Sequence, residues 1–259
     1  MIRRLLPFFI LPFLFSCVAQ DKSRECELIA HAGGEIDGYV YTNSLEALQQ
    51  AAERGYKYIE LDLQMTEDSV LVATHSWEEF NSMTGNSHRG DSAMLSEQFV
   101  GQQIHGRYTP LTAGMINDFF MQNTTLYLVT DKISDPEVLK QYFPDLKQRM
   151  VVEAFSYEHY EQLIDEGYFR VLYSCMADDF STTITKNLLF ASLFSGKRIE
   201  WIALHTSGFD NLIYDILNSM CRFNIALFTV DDYNELSQQQ LERVQMIYTN
   251  RLLPGQSYN

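Results

Sequence analysis

Short apolar runs recur along the chain at residues 28–30, 56–63, 70–74, 126–130, 150–155, 169–173, 201–204, 225–230 and 244–248. They are rich in β-branched and aromatic residues and have the length of strands. Between most of them lie polar segments with helical spacing. Residues 45–52 follow Ser44 and end before Gly55, a suitable helix stop. Pro136 stands where a helix begins. Residues 157–166 lie between Ser156, a natural N-cap, and Gly167. Residues 231–244 are helix-like and follow the run at 225–230. Strand–helix alternation of this length predicts a parallel sheet with right-handed crossovers. About eight such units predict one (β/α)8 barrel over residues 27–255, with an open doubly wound sheet as the alternative. Residues 78–110 break the rhythm and carry Gly85, Gly90, Gly101 and Gly106. They read as one long insertion between the second strand and its helix.

The first residues differ in kind. Arg3 and Arg4 precede an apolar run from 5 to 15, then Ser16 and Cys17. A charged start, a short apolar stretch and small residues describe an export signal. The run is too short to span a bilayer comfortably. Leu14-Phe15-Ser16-Cys17 resembles a bacterial lipobox, with Phe15 as its unusual residue. Residues 1–16 are therefore expected to be a lipoprotein-type signal peptide, with cleavage after Ala19 as the competing reading. The expected location is the bacterial cell envelope, lipid-anchored through Cys17 or periplasmic.

A formal net charge of −15 over 259 residues removes two classes of partner. Nucleic-acid binders present a basic face, and an acidic surface is not drawn to anionic membranes. With Cys17 acylated, Cys26, Cys175 and Cys221 remain, an odd number without metal-binding spacing. Cys175 and Cys221 read as small buried apolar residues.

The candidate chemistry lies in the stretch 59–77, IELDLQMTEDSVLVATHSW. Glu60 and Asp62, two residues apart on a strand, share one face. Two carboxylates this close stay ionised together readily only with a cation between them. Oxygen ligands suit Mg2+ or Ca2+. His31 ends the first apolar run, beside Gly33 and Gly34, and His75 ends the run at 70–74. Active sites of such barrels lie at the C-terminal ends of strands, so all four groups map to one mouth. Paired histidines can serve as general acid and base.

These residues resemble the glycerophosphodiester phosphodiesterases of the PLC-like phosphodiesterase superfamily. In that family a strand ends in His-Arg-Gly and a Pro-Glu-Asn-Thr motif opens the first helix. A Glu-x-Asp strand, a Thr-x-Asp-Gly turn and a strand ending in His-Asp follow. Here the counterparts are His31, Asn43-Ser44, Glu60-Leu61-Asp62, Thr66-Glu67-Asp68 and His75. Weaker likeness continues through 149–163, 224–232 and 245–252. The resemblance implies a TIM-type barrel, His31 and His75 as catalytic acid and base, and Glu60 and Asp62 as metal ligands. It implies a third ligand on the third strand, where Asp131 is the available carboxylate. Lys132 directly follows Asp131, whereas the family spaces its lysine two places on. Strand alternation would separate Asp131 from Lys132 unless the strand ends or bulges there. Lys132, Glu153 and His205 are candidates for lining the substrate site. An acid inside the strand at 150–155 must face the mouth and bond to a lysine, water or the metal shell.

Two departures stand out. The family's arginine is Ala32 here, and the glutamate of its helix-opening motif is Thr42. Arg89 and Arg107 in the insertion are the alternative cations, although solvated loop charges are the simpler reading. His88, His105 and His159 carry no motif and read as surface residues. The implied activity is metal-dependent hydrolysis of a small-molecule or lipid-derived phosphodiester, most simply a glycerophosphodiester giving an alcohol and glycerol phosphate. A phospholipase of type C or D, or a binding protein on a decayed barrel, are the alternatives.

Overall fold

The computed structural model describes residues 26–175, 199–208 and 222–256, with Asp215 and Ser219 between the last two spans. The signal segment with Cys17, and Cys221, lie outside the described residues. The strands are β1 (Glu27–Ala30), β2 (Tyr58–Met65), β3 (Leu71–Ala73), β4 (Leu111–Thr112), β5 (Tyr127–Asp131), β6 (Met150–Ala154), β7 (Arg170–Cys175), β8 (Trp201–His205), β9 (Asn224–Phe228) and β10 (Met246–Thr249). Helices α1 (Leu45–Glu53), α2 (Trp77–Met83), α3 (Ser96–Val100), α4 (Ala113–Gln122), α5 (Pro136–Tyr142), α6 (Tyr157–Glu166) and α7 (Gln238–Leu241) lie among them.

Eight strands, in the order β1-β10-β9-β8-β7-β6-β5-β2, are parallel, and a β1–β2 pairing closes them into a barrel. Alternation sorts their side chains. Ile29, Tyr58, Val129, Val151, Leu172, Ala203, Ala226 and Met246 fill the barrel interior. Leu28, Ile59, Leu61, Leu128, Val152 and Ile202 belong to the core between barrel and helices. The helix punctuation is the one written in the sequence. Ser44 caps α1 by accepting from Ala47 N, Ser156 caps α6 by accepting from His159 N, and left-handed Gly167 ends α6. Pro136 occupies the first turn of α5 behind the Asp135 cap.

The segment 231–244 is not one helix. Asp232 with Glu235, and Ser237 with Gln240, each form a capping box, so the chain makes a 3-10 turn and then the short α7. The run at 70–74 stands outside the barrel. As β3 it pairs antiparallel with the outer half of β2, Leu63 against Ala73 and Met65 against Leu71. The turn between them is too short for a parallel crossover. Left-handed Ser69 (φ 62°) stands where the family has glycine, and Thr66 closes the turn onto Val70 and Asp68. His75 therefore arrives at the mouth on a returning hairpin. Thr74 N donates to Asp62 O at 2.9 Å, which sets His75 beside the end of β2.

Residues 78–110 form the expected insertion before α4. With Trp77 it has its own core of Phe80, Met94, Phe99, Ile104 and Tyr108, packed against Ile36, Ala47 and Val72. Among the described residues no helix is long and apolar enough to cross a membrane.

Candidate active site

The inward-facing row of β2 runs Tyr58, Glu60, Asp62, from the packed interior to the mouth. Asp62 is in register with Asp131 of β5. Glu60 and Asp62 are almost wholly buried, and Asp131 is partly exposed. The three carboxylates each offer an oxygen within 4.8 Å of the others, an arrangement that could hold a metal ion. One oxygen of each β2 acid is already used. Glu60 Oε2 accepts from Ala32 N at 2.6 Å, and Asp62 Oδ2 accepts from Asn43 Nδ2 at 3.0 Å. Glu60 Oε1 and Asp62 Oδ1 are buried with no hydrogen-bond partner. Two buried acid oxygens without a hydrogen bond, beside a third carboxylate, are a donor set that could hold a hard divalent cation.

The electrostatics agree. Burial first, then Asp62 and Asp131, push Glu60 well above the usual carboxylate range. Burial and Asp131 raise Asp62 to about 6. Such groups hold protons unless a cation takes their place. Asn43 braces the pair, because its Oδ1 also accepts from Asp62 N at 3.0 Å.

The same cavity, of about 270 Å3, is lined by His31, Tyr41, Glu60, His75, Asp131, Lys132, Glu153, Phe155, His205, Phe228, Thr229 and Tyr248. Every residue expected in the site thus lies on this cavity, except Asp62, which is buried next to its lining residues Glu60 and Asp131. Lys132 reaches it because the strand ends at Asp131 and Lys132 takes a left-handed backbone (φ 70°). Its Nζ lies 3.3 Å from Asp131 Oδ2 and 3.9 Å from Asp62 Oδ1. Burial pulls the ammonium down, but Asp131 and Asp62 outweigh it, so Lys132 keeps its charge.

The two histidines are held differently. Burial lowers His31 to about 4, although one face opens to the cavity, and its Nδ1 lies 3.3 Å from Thr229 Oγ1. His75 Nδ1 lies 2.8 Å from Glu79 Oε2, one turn along α2. Glu153 faces the cavity as expected, but its partner is not a lysine. Tyr248 OH donates to Glu153 Oε1 at 2.5 Å from the far side of the barrel. Burial and Asp131 raise Glu153 to about 8. His205 Nδ1 bonds Ser207 Oγ at 2.9 Å.

Arg89 and Arg107 do not reach the cavity. Arg89 donates to Ala93 O, and Arg107 stacks on Tyr39 and Tyr108 beside Asp37. His88 is exposed, His105 stacks on Tyr39, and His159 bonds Ser134. Tyr41, Glu79, Thr229 and Tyr248 were not singled out in the sequence. Only Glu79 left a readable signal, four residues after His75 in a segment opened by Ser76.

A barrel mouth that gathers acids, histidines and one lysine around a small cavity belongs to an enzyme, a phosphoric diester hydrolase. The family model described as the glycerophosphoryl diester phosphodiesterase family matches residues 32–178, and the chain belongs to that family. No curated protein matches the sequence. Solved structures with the same fold include a glycerophosphodiester phosphodiesterase from Parabacteroides distasonis ATCC 8503. It is 18% identical with a TM-score of 0.61, over 87% of this chain and 92% of that one. Another is a glycerophosphodiester phosphodiesterase from Thermotoga maritima, 17% identical with a TM-score of 0.59, over 87% and 93%. A third is an Oleispira antarctica phosphodiesterase in complex with the product sn-glycerol-3-phosphate. It is 18% identical with a TM-score of 0.60, over 86% and 92%.

Proposed function

We propose that the protein hydrolyses a glycerophosphodiester to an alcohol and glycerol phosphate, with Mg2+ or Ca2+ held by Glu60, Asp62 and Asp131. The observation that carries this reading is the pair of orphaned buried oxygens on Glu60 and Asp62, beside the cavity that both histidines line. A cavity of about 270 Å3 is at the small end of ligand pockets and suits a phosphate with a glycerol-sized group. The glycerol phosphate bound by the Oleispira antarctica enzyme supports the same substrate class here.

A bound divalent ion would supply Lewis-acid polarisation of a phosphoryl oxygen. The protein's own side chains move the protons. His31, neutral at working pH, takes the proton of the attacking hydroxyl through its Nε2, since Nδ1 faces Thr229. That hydroxyl belongs to water or to a neighbouring position of the substrate. Its oxygen bonds to phosphorus as the bond from phosphorus to the leaving alcohol oxygen breaks. His75 gives the departing alkoxide a proton, and Glu79 supplies a counter-charge while the ring holds its second proton. Lys132 adds positive charge at the mouth. Export and acylation at Cys17 would place this chemistry in the cell envelope, with access to lipid-derived diesters.

The test is a panel of glycerophosphodiesters and intact phospholipids, assayed with and without EDTA. Cleavage of the former that stops in chelator is expected. His31→Ala and His75→Ala should each lose ~10²–10⁴-fold in turnover while remaining folded. Full activity in chelator removes the metal from the reading. Preferential head-group release from phospholipid replaces the substrate. No cleavage of any diester leaves a binding protein on the same barrel.

A further inference from the structure

Tyr41 has no role in the scheme above, yet it stands in the middle of the site. Its ring centroid lies 4.8 Å from that of His31, edge-on, and 4.9 Å from that of His75. Its backbone is left-handed (φ 58°), a conformation that bulky residues rarely adopt. The residues after it hold it there. Thr42 and Ser44 share a hydroxyl–hydroxyl bond of 3.1 Å, and Asn43 is tied twice to Asp62. The groups that brace the metal-site acid therefore also fix the tyrosine.

The cavity must receive an anion, and its donors are few. Ala32 brings no polar side chain. Tyr248 has committed its proton to Glu153. Lys132 is drawn toward Asp131 and Asp62. Thr229 Oγ1 lies 3.3 Å from His31 Nδ1, and its hydroxyl also faces the Tyr41 phenol closely enough to act on it. A hydroxyl has one proton to give. If His31 Nδ1–H donates to Thr229 Oγ1, then Thr229 donates to the Tyr41 oxygen. This direction leaves His31 neutral with its lone pair on Nε2, the state its burial favours. It also leaves the phenolic O–H without a partner among the described residues.

We propose that Tyr41 donates that hydrogen to a non-bridging oxygen of the bound phosphodiester, as a neutral substitute for a cationic phosphate contact beside His31. The inference rests on the phosphodiesterase reading. The phenol keeps its proton at working pH, because burial, Asp62 and Glu60 all raise it above the ordinary tyrosine value. It orients the phosphate without competing with Lys132 for the acids.

Tyr41→Phe removes the hydroxyl and keeps the ring. The readout is calorimetric binding of inorganic phosphate with Mg2+ or Ca2+ in excess, which needs no turnover. Wild type should bind, and Tyr41→Phe should bind roughly tenfold more weakly, as for loss of a hydrogen bond to a charged group. KM for a diester should rise alongside. Thr229→Val removes the relay and keeps the phenol, so it should cost less phosphate affinity than Tyr41→Phe. Equal binding by wild type and Tyr41→Phe overturns the proposal. So does a larger loss in Thr229→Val, or no phosphate binding by wild type. Weakened phosphate binding in Tyr41→Phe, beside a wild type that cleaves no diester, upholds the phosphate contact and removes the hydrolytic reading instead.

Discussion

Glu79 Oε2 and His75 Nδ1 lie 2.8 Å apart, one helical turn separating a half-exposed carboxylate from a histidine of the cavity. The bond fixes which ring nitrogen faces solvent and which faces substrate. An exposed pair of this kind contributes only ~0–1 kcal/mol to stability. Its value lies in orientation and counter-charge. Glu79→Gln should lower kcat roughly tenfold or more, part of what the histidine itself contributes. KM and the thermal midpoint should change little. Steady-state kinetics with a melting curve check this, and unchanged kcat would detach Glu79 from the reaction.

The acids make the metal-free protein sensitive to alkali. Glu60 stands well above its ordinary value of 4.5, and Glu153 stands at about 8. Between pH 6.5 and 8 the folded protein holds protons that the unfolded chain has released, so stability must fall as pH rises. Each retained proton corresponds to about 1.4 kcal/mol per pH unit. His31, lowered to about 4 from 6.5, acts oppositely, but only below pH 6.5. In chelator the melting temperature should therefore drop from pH 6.5 to 8, and saturating Mg2+ or Ca2+ should reverse the drop. A flat profile in chelator would mean that these acids are ionised without a metal.

Removing one acid should stabilise the metal-free protein. Glutamine at position 60 can still accept from Ala32 N, and it needs no proton taken up on folding to avoid a buried charge beside Asp62 and Asp131. Glu60→Gln should gain about 0.5–2 kcal/mol in chelator. It should lose both the metal-induced rise in melting temperature and most hydrolysis. A variant that keeps metal stabilisation would take Glu60 out of the ligand set.

The proposed anchor at Cys17 has its own test. Cys17→Ser should abolish acylation and move the protein from the membrane fraction to the soluble one. A mature N-terminus at Gln20, found by mass spectrometry, would establish ordinary cleavage instead.

Much of the barrel was legible because its strands are short β-branched runs and its helices start at ordinary signals, Ser44, Pro136 and Ser156. The run at 70–74 is as buried as a barrel strand, so its composition alone did not show that it runs antiparallel, outside the barrel. His31, Glu60, Asp62 and His75 were visible through strand ends and motif. Lys132 was not placeable, because alternation fails where a residue turns left-handed. Tyr248 and Glu153 meet across the barrel, 95 positions apart, where no local pattern joins them. Tyr41 carries no hydrophobic periodicity, and only the fold sets it against two histidines.

The returning β2–β3 hairpin makes the two histidines belong to different mechanical parts. His31 is fixed to the barrel wall. His75 sits at a joint, between a hairpin on one side and Trp77, a core residue of the insertion, on the other. The spacing of the two histidines is thus set by how the insertion is seated. Sequence drift in residues 78–110 can retune the spacing of the pair while every side chain in the cavity stays the same. Close relatives differing only there would then differ in turnover.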